Sequence, residues 1–162
     1  MNYMFYKCYS LVSIPQLSTE SVTEMKSLFE GCYSLSVMPP LNTEKVTGIY
    51  GLINGCSKIV ASPILDARNY KDFIVVGATS LRYLNLINVA SDIELASCHN
   101  LAVESVAFII NHATDNPLNI TLSEALYEKA VKDAAVNAAL SSKPNVSLAA
   151  YNEDEEEEEE DW

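Results

Sequence analysis

The chain has 162 residues, of which 49% are hydrophobic, and a formal net charge of −12. This length is enough for one domain with a continuous apolar core. The segment from Glu153 to Asp161 holds nine of the 22 acidic residues, which leaves 13 acidic and 10 basic residues elsewhere. Because no basic stripe is present, nucleic acid is not expected as a partner. Neither a long apolar run nor an N-terminal signal peptide is visible, so no membrane insertion is expected.

A short phrase that begins with cysteine recurs through the first hundred residues. Residues 8–11 read Cys-Tyr-Ser-Leu, the same letters return 24 residues later at 32–35, and Cys-Ser-Lys-Ile follows at 56–59. Weaker copies begin at Ala78 and Cys98. Self-similarity at a fixed short period predicts a repeat fold in which each unit packs only on its neighbours.

Each copy also carries mostly apolar positions at intervals of three residues, which a short parallel strand would turn towards a core. Pro15, Pro39 and Pro63 cannot donate to a sheet ladder, so these strands are expected to be short or irregular. Polar residues that bond their own backbone at turns follow, at Asn42 and Asp66 among others. Stacking of equivalent positions predicts a structural ladder of buried side chains formed by Cys8, Cys32, Cys56, Leu11, Leu35, Ile59, Leu81, Leu17, Leu41, Leu65 and Ile87.

A short helical segment is expected after each strand. Residues 22–29 place apolar side chains at helical spacing, and Gly31 and Gly55 are expected to end these segments. The second copy contains Gly48 and Gly51, each of which weakens a helix by about 1 kcal/mol relative to Ala, so only one or two turns are expected there. A strand, a turn and a short helix within two dozen residues match the size of a leucine-rich repeat.

The sequence motif of the repeat is more specific than its length. Residues 4–11, Met-Phe-x-x-Cys-x-Ser-Leu, and residues 17–25, Leu-x-Thr-Glu-x-Val-Thr-x-Met, resemble the BspA-type leucine-rich repeat of bacterial surface proteins. The resemblance covers residues 1–100 and implies an α/β fold: a leucine-rich-repeat-like solenoid of four to five coils with short parallel strands and short helices. It also implies a location at the cell surface or on a virion, since phage fibre proteins carry related repeats, and binding to host proteins or other cells.

A different pattern follows the solenoid. An amphipathic helix is expected over residues 101–112, a strand over 119–122, a second helix over 123–140 and a last strand over 145–148. This strand–helix–strand unit, residues 101–150, is expected to cover the apolar end of the solenoid.

The two ends of the chain suggest partners of different kinds. Residues 151–162 are expected to form a disordered acidic tail, because like charges repel and little apolar surface is available to bury. A solubilising role and a role in binding cations or a basic partner both stay open for this tail. Met1 enters in the middle of a repeat, so the N-terminal coil is expected either to continue a longer array or to stack on another chain.

The cysteines and histidines give little indication of chemistry. The cysteines lie 24, 24 and 42 residues apart, without the close pairs that zinc sites use. Stacking would place Cys8, Cys32 and Cys56 about 5 Å apart, so a disulfide between adjacent coils and a column of buried thiols are both open interpretations. His99 and His112 belong to no metal-ligand or nucleophile motif, so no metal, cofactor or catalytic residue is expected.

Tyrosine supplies the tentative binding surface. Tyr9, Tyr33, Tyr50 and Tyr70 offer large contact area with a polar tip, although rings that cover the edges of the stack are the alternative. The favoured function is a non-enzymatic interaction or adhesion module for a protein or glycan partner. The alternative is a structural assembly or decoration subunit, such as part of a phage particle, that stacks through its N-terminal coil. An enzyme is the third interpretation.

Overall fold

The structure is a computed structural model and describes residues 1–71 and 73–152. It is a mixed α/β fold with short parallel strands. Within the described ranges the regular elements begin only at residue 61: β1 Ala61–Asp66, β2 Phe73–Ile74, β3 Tyr83–Ile87, β4 Ile93–Leu95, α1 Val103–Asn111, β5 Leu118–Leu122, α2 Glu124–Ala130, α3 Ala134–Ser142 and β6 Val146–Ala150. Most of the predicted acidic tail, residues 153–162, lies outside the described residues.

The strands form two parallel sheets. β1 pairs with β3, and the second sheet has the order β2-β4-β5-β6. In the larger sheet Ile93 pairs with both Phe73 and Ile120, and Ile120 pairs with Leu148. β4 and β5 are adjacent, so the boundary predicted at residue 100 lies between two paired strands of one sheet. The division into a solenoid and a separate C-terminal unit stays a prediction.

Residues 1–60 contain turns instead of the predicted strands and helices. Backbone hydrogen bonds join segments that lie about two dozen residues apart. The Tyr3 N–H donates to the Lys26 carbonyl at 2.9 Å, and the Phe5 N–H donates to the Leu28 carbonyl at 3.0 Å. An isolated parallel bridge between residues 24 and 48 belongs to the same set.

The helix predicted over residues 22–29 is wrong, and the hydrogen bonds give the reason. A helix needs each N–H to donate to the carbonyl four residues earlier. Here the N–H groups of Met25 and Phe29 donate forward, to the carbonyls of Gly48 and Leu52, at 2.7 and 3.0 Å. Neighbouring segments satisfy these donors, so Met25, Leu28 and Phe29 are fully buried without a helix, and Val22 is half-buried.

The predicted ladder is buried in most of its length but not at its beginning. Cys32, Cys56, Leu35, Ile59, Leu65 and Leu81 are fully buried and Leu41 nearly so. Cys8 is exposed, against the prediction of a column of buried thiols, whereas Leu11 and Leu17 are half-buried. Leu11 and Leu17 still pack against the core, with part of their surface left exposed. At the far end of the ladder Ile87 is also half-buried.

The C-terminal part follows its predicted outline with one correction. α1, β5 and β6 lie within two residues of the bounds predicted for them. The helix predicted over residues 123–140 is instead two helices. The chain leaves the first helix after Ala130, and the Asp133 side chain accepts hydrogen bonds from the N–H groups of Ala135 and Val136, which starts α3.

Candidate binding surface

The four tyrosines of the tentative binding surface differ in exposure and in position. Tyr9 and Tyr33 are 49% and 50% exposed, and their rings stack with centroids 5.2 Å apart. Tyr50 is 54% exposed and lines a groove of about 820 Å³ together with Lys26 and Arg68. Neither Tyr9 nor Tyr33 lines that groove. Tyr9, Tyr33 and Tyr50 are therefore accessible, but Tyr50 belongs to a different part of the surface.

Tyr70 is among the residues that line the groove of Tyr50, but it is almost completely buried, so the prediction that it offers an exposed contact surface was wrong. It is only 3% exposed and stacks on Phe73, with ring centroids 5.8 Å apart. Burial raises the pKa of its phenol. In the 24-residue register Tyr70 aligns with Val46, which is also fully buried. The alignment with a valine was the signal in the sequence that this tyrosine points inward.

A further exposed apolar surface comes from residues outside the predicted tyrosine surface. The outer side of β1 and β3 and of the segments beside them carries large apolar side chains that are between 44% and 67% exposed. We name this surface the front strip, formed by Val12, Val37, Val60, Ile64 and Tyr83.

The alternation of side chains along the strands creates the front strip. Leu65, Leu84 and Leu86 are buried in the core, so Ile64 and Tyr83 point to the opposite side of the sheet. Backbone hydrogen bonds hold two pairs of these segments side by side. The N–H groups of Arg82 and Tyr83 donate to the Val60 carbonyl at 2.8 and 3.1 Å, and the Ser36 N–H donates to the Val12 carbonyl at 3.4 Å. The sequence signal was an apolar residue directly after a ladder residue, as in Leu11-Val12 and Ile59-Val60.

A groove of about 360 Å³ adjoins the front strip and shares Ile64 with it. Its apolar surface includes Leu17, Pro40, Ile64 and Ile87, and its charged surface consists of three carboxylates. We name it the acidic groove, with Glu20, Glu44 and Asp66 as its acidic residues. No lysine or arginine is among the described residues that line it.

Asp66 is the carboxylate of the acidic groove with the most hydrogen bonds from other side chains. Its Oδ2 accepts a hydrogen bond from Arg68 Nη2 at 2.6 Å and another from Asn88 Nδ2 at 2.9 Å, while its Oδ1 accepts from Arg68 Nε at 3.0 Å. Partial burial by itself would raise the pKa of the Asp66 carboxyl, but the hydrogen bonds from Arg68 and Asn88 outweigh it and hold that pKa below its ordinary value. Asp66 is therefore ionised at neutral pH.

The cysteines are free thiols. The Sγ of Cys32 donates to the Phe5 carbonyl at 3.1 Å, and the Sγ of Cys56 donates to the Phe29 carbonyl at 3.0 Å. Burial raises the pKa of Cys56 to about 12. These two cysteines fit the interpretation as small buried residues with satisfied donors.

The histidines form no candidate metal site among the described residues. Within residues 1–71 and 73–152, no group of three or more histidine, cysteine, aspartate or glutamate residues is arranged to hold a metal ion. His112 is exposed beyond α1, and its ring stacks on Phe108 at 4.1 Å between centroids. The described helices include none with the length and apolar character needed to cross a membrane.

Comparisons with protein-family models, with curated proteins and with solved structures give no match for this chain. The resemblance of residues 1–100 to BspA-type repeats therefore stays a prediction from sequence motifs. What the surface binds has to be inferred from its own geometry.

Proposed function

We propose that this chain is a non-enzymatic binding module, an adhesion or interaction domain whose front strip contacts a protein or glycan partner. The observation that carries the proposal is the front strip itself. Five large apolar side chains are each at least 44% exposed, and backbone hydrogen bonds join the segments of Val12 and Val37 and those of Val60 and Tyr83. Single exposed apolar residues are ordinary on protein surfaces, whereas a group of neighbours is typical of an interaction site.

The proposed scaffold is a leucine-rich-repeat-like solenoid of four to five coils. Two equivalent threonines support it, because both are buried and make the same bond to the following segment. Thr19 Oγ1 accepts from the Asn42 N–H and Thr43 Oγ1 accepts from the Asp66 N–H, each at 2.7 Å. A scaffold of this kind leaves the outward positions free to vary without disturbing the core, which suits recognition.

The resemblance to BspA-type repeats supports a site of action at the cell surface or on a virion. A partner met there is a protein or a glycan. The front strip favours contact through aliphatic and aromatic surface, and the stacked rings of Tyr9 and Tyr33 add a second exposed aromatic area.

A direct test uses the labelled domain in cell-adhesion and glycan-array assays. Val37→Lys and Ile64→Lys place charge in the front strip, where the side chains are exposed, so the fold is expected to be retained. Val131→Lys is the matched control, because Val131 is also exposed but lies outside the front strip. Loss of binding in the two front-strip variants, with retention in the control, supports the proposal. Binding that all three variants retain would overturn it.

A structural assembly role is the second candidate, and one observation favours it. The N-terminal segment packs a row of half-buried apolar side chains against the core: Met1, Phe5, Leu11, Ile14, Leu17 and Val22. Their remaining surface suits stacking on a second copy or on another chain. Light scattering after size exclusion tests this role, since oligomers that dissociate on Leu11→Lys substitution support assembly and a monomer at all concentrations opposes it.

A further inference from the structure

We infer that the acidic groove takes a lysine or arginine side chain from an extended partner peptide, whose adjoining apolar residues cover the front strip. This inference rests on the proposed function and adds the chemistry of the partner. It follows from the shape, the charge and the position of the groove.

The groove has two kinds of surface that match the two parts of a long basic side chain. Pro40, Ile64 and Ile87 supply apolar contact, and Glu20 and Glu44 supply carboxylates at its border. Lysine and arginine carry an aliphatic stem and a cationic head, and they bury the stem on apolar surface while the head meets a charge. An acidic side chain in the same position would face only like charges.

The charges of the groove are only partly compensated within the protein. Within residues 1–71 and 73–152, Arg68 is the cation that forms ion pairs with the groove carboxylates, and its shortest contact is with Asp66, where Nη2 and Oδ2 are 2.6 Å apart. Its contact with Glu44 is longer, at 3.4 Å. Glu20 makes no ion pair with any residue in the described part of the chain. Glu20 and Glu44 are therefore the carboxylates available to an incoming cation.

The position of the groove connects the basic residue to an apolar neighbour. Ile64 belongs to both the acidic groove and the front strip. A partner that places an apolar side chain on Ile64 therefore brings the adjoining part of its chain to Glu20 and Glu44. Successive side chains of an extended peptide point to opposite faces, so residues two apart reach the same surface. A basic residue two positions from an apolar one satisfies this geometry.

The charge of the whole chain acts in the same direction. A net charge of −12 attracts basic segments at long range and repels acidic ones, including polyanionic glycans. This attraction is weakened by salt, since charges farther apart than about 8 Å are largely screened at physiological ionic strength. The local groove, and not only the overall charge, must therefore supply the selectivity.

Fluorescence anisotropy with defined peptides tests the inference on the full chain. The probes are three short labelled peptides: one with lysine and leucine at positions two apart, one with glutamate in place of lysine, and one with serine in place of leucine. The lysine–leucine peptide is expected to bind most tightly. The double variant Glu20→Lys/Glu44→Lys is expected to weaken that binding about tenfold, because two exposed charge pairs become repulsive.

The matched control is Glu104→Lys/Glu128→Lys, which makes the same change in net charge at exposed positions outside the groove. This control is necessary because the acidic run from Glu153 to Asp161 also attracts basic peptides. The inference is supported when the groove variant loses affinity and the control does not. Equal losses in both variants, or binding of the glutamate–leucine peptide as tight as that of the lysine–leucine peptide, would overturn it.

The experiments can reject this inference without rejecting the proposed function. If Ile64→Lys abolishes adhesion while the groove variant binds the lysine–leucine peptide as the wild type does, the front strip stands and the acidic groove is rejected. If binding in the glycan array depends on the front strip and no peptide binds, the partner is a glycan, and the peptide inference is rejected as well.

Discussion

The phenol ring of Tyr9 stacks on that of Tyr33, with centroids 5.2 Å apart and ring planes 12° from parallel. The two residues lie 24 positions apart, and each directly follows a cysteine. The rings of Phe5 and Phe29, also 24 positions apart, stack in the same way at 5.7 Å. In both pairs, residues that match in the repeated sequence are direct neighbours in space.

The Tyr9–Tyr33 stack should contribute measurably to stability. A double-mutant cycle with Tyr9→Ala and Tyr33→Ala is expected to give a coupling free energy of about 0.5 kcal/mol, the lower end for aromatic pairs because both rings are half exposed. Urea denaturation of the two single variants and the double variant measures it. Tyr50→Ala paired with Tyr9→Ala is the control, since their rings form no stack, and additive effects are expected there. Additivity in the Tyr9–Tyr33 cycle as well would contradict the prediction.

Thiol reactivity should separate Cys8 from the buried cysteines. Thiolate is the reactive form, and burial raises the pKa of Cys56 and that of Cys98 to about 12. At pH 8 the folded protein is therefore expected to show a single fast reaction with a chromogenic disulfide reagent, from the exposed Cys8. Cys8→Ser should remove the fast phase, and the remaining thiols should react only on unfolding. More than one fast thiol per folded chain would refute this assignment.

Gly55 should resist replacement because of its backbone conformation. Its φ is +74°, a region that side-chain-bearing residues rarely adopt, and an added Cβ would lie 3.3 Å from Tyr33 Cε1. Gly55→Ala is expected to lower the free energy of unfolding by about 1–2 kcal/mol. The neighbouring Ser57→Ala is a suitable control and should change stability by less than about 0.5 kcal/mol. Equal midpoints for the two variants in urea would show that this turn carries no strain penalty.

Asp66 should make the stability depend on pH in the acid range. Its folded-state pKa is lowered from the ordinary value of 3.8, so the charged form stabilises the fold above that value. Asp66→Asn is expected to cost about 1–2 kcal/mol at neutral pH, through weaker hydrogen bonds from Arg68 and Asn88.

The cost of Asp66→Asn should disappear as the pH falls through the lowered pKa, because the wild-type carboxyl is then also neutral. Thermal denaturation of the wild type and of Asp66→Asn across this range measures the difference. Ser57→Ala, which removes no titratable group, is the control, and its difference from the wild type should show no such trend. A difference between wild type and Asp66→Asn that stays constant through the acid range would contradict the assignment.

The loss of unfolding free energy on Leu→Ala substitution in the ladder should increase with the burial of the leucine. Leu35 is fully buried, and Leu35→Ala is expected to cost about 2–5 kcal/mol. Leu11 is the equivalent residue 24 positions earlier but is only half-buried, so Leu11→Ala should cost markedly less. Chemical denaturation of both variants measures these losses in the free energy of unfolding. Equal losses would mean that the environment of Leu11 is more enclosed than its surface exposure indicates.

The repeated letters predicted which residues share an environment more reliably than they predicted secondary structure. Cys32 and Cys56 are both fully buried, as their equivalent positions required. The helix over residues 22–29 did not form, because its N–H donors meet carbonyls of the next segment. A local pattern of apolar residues describes which side is buried, and it does not reveal which carbonyl each N–H will reach.

The surface was harder to predict than the core. Exposed tyrosine and buried tyrosine have the same letter, and Tyr70 could be separated from Tyr33 only by the residue with which it aligns. Val12, Val37 and Val60 received no role from the sequence, because an exposed valine cannot be told from a buried one by its letter in a chain that is 49% hydrophobic.

The amino-acid sequence by itself determined the 24-residue spacing, most of the buried positions that follow from it, and the outline of α1, β5 and β6. These are local properties, set by which side chains avoid water and by where turns and helix starts are favoured. The tertiary structure alone decided that Ile64 and Tyr83 face outward beside Val60, and that Glu20, Glu44 and Asp66 meet at one groove. Those relationships depend on hydrogen bonds between segments about two dozen residues apart, and such partners can be identified only when the segments are placed side by side.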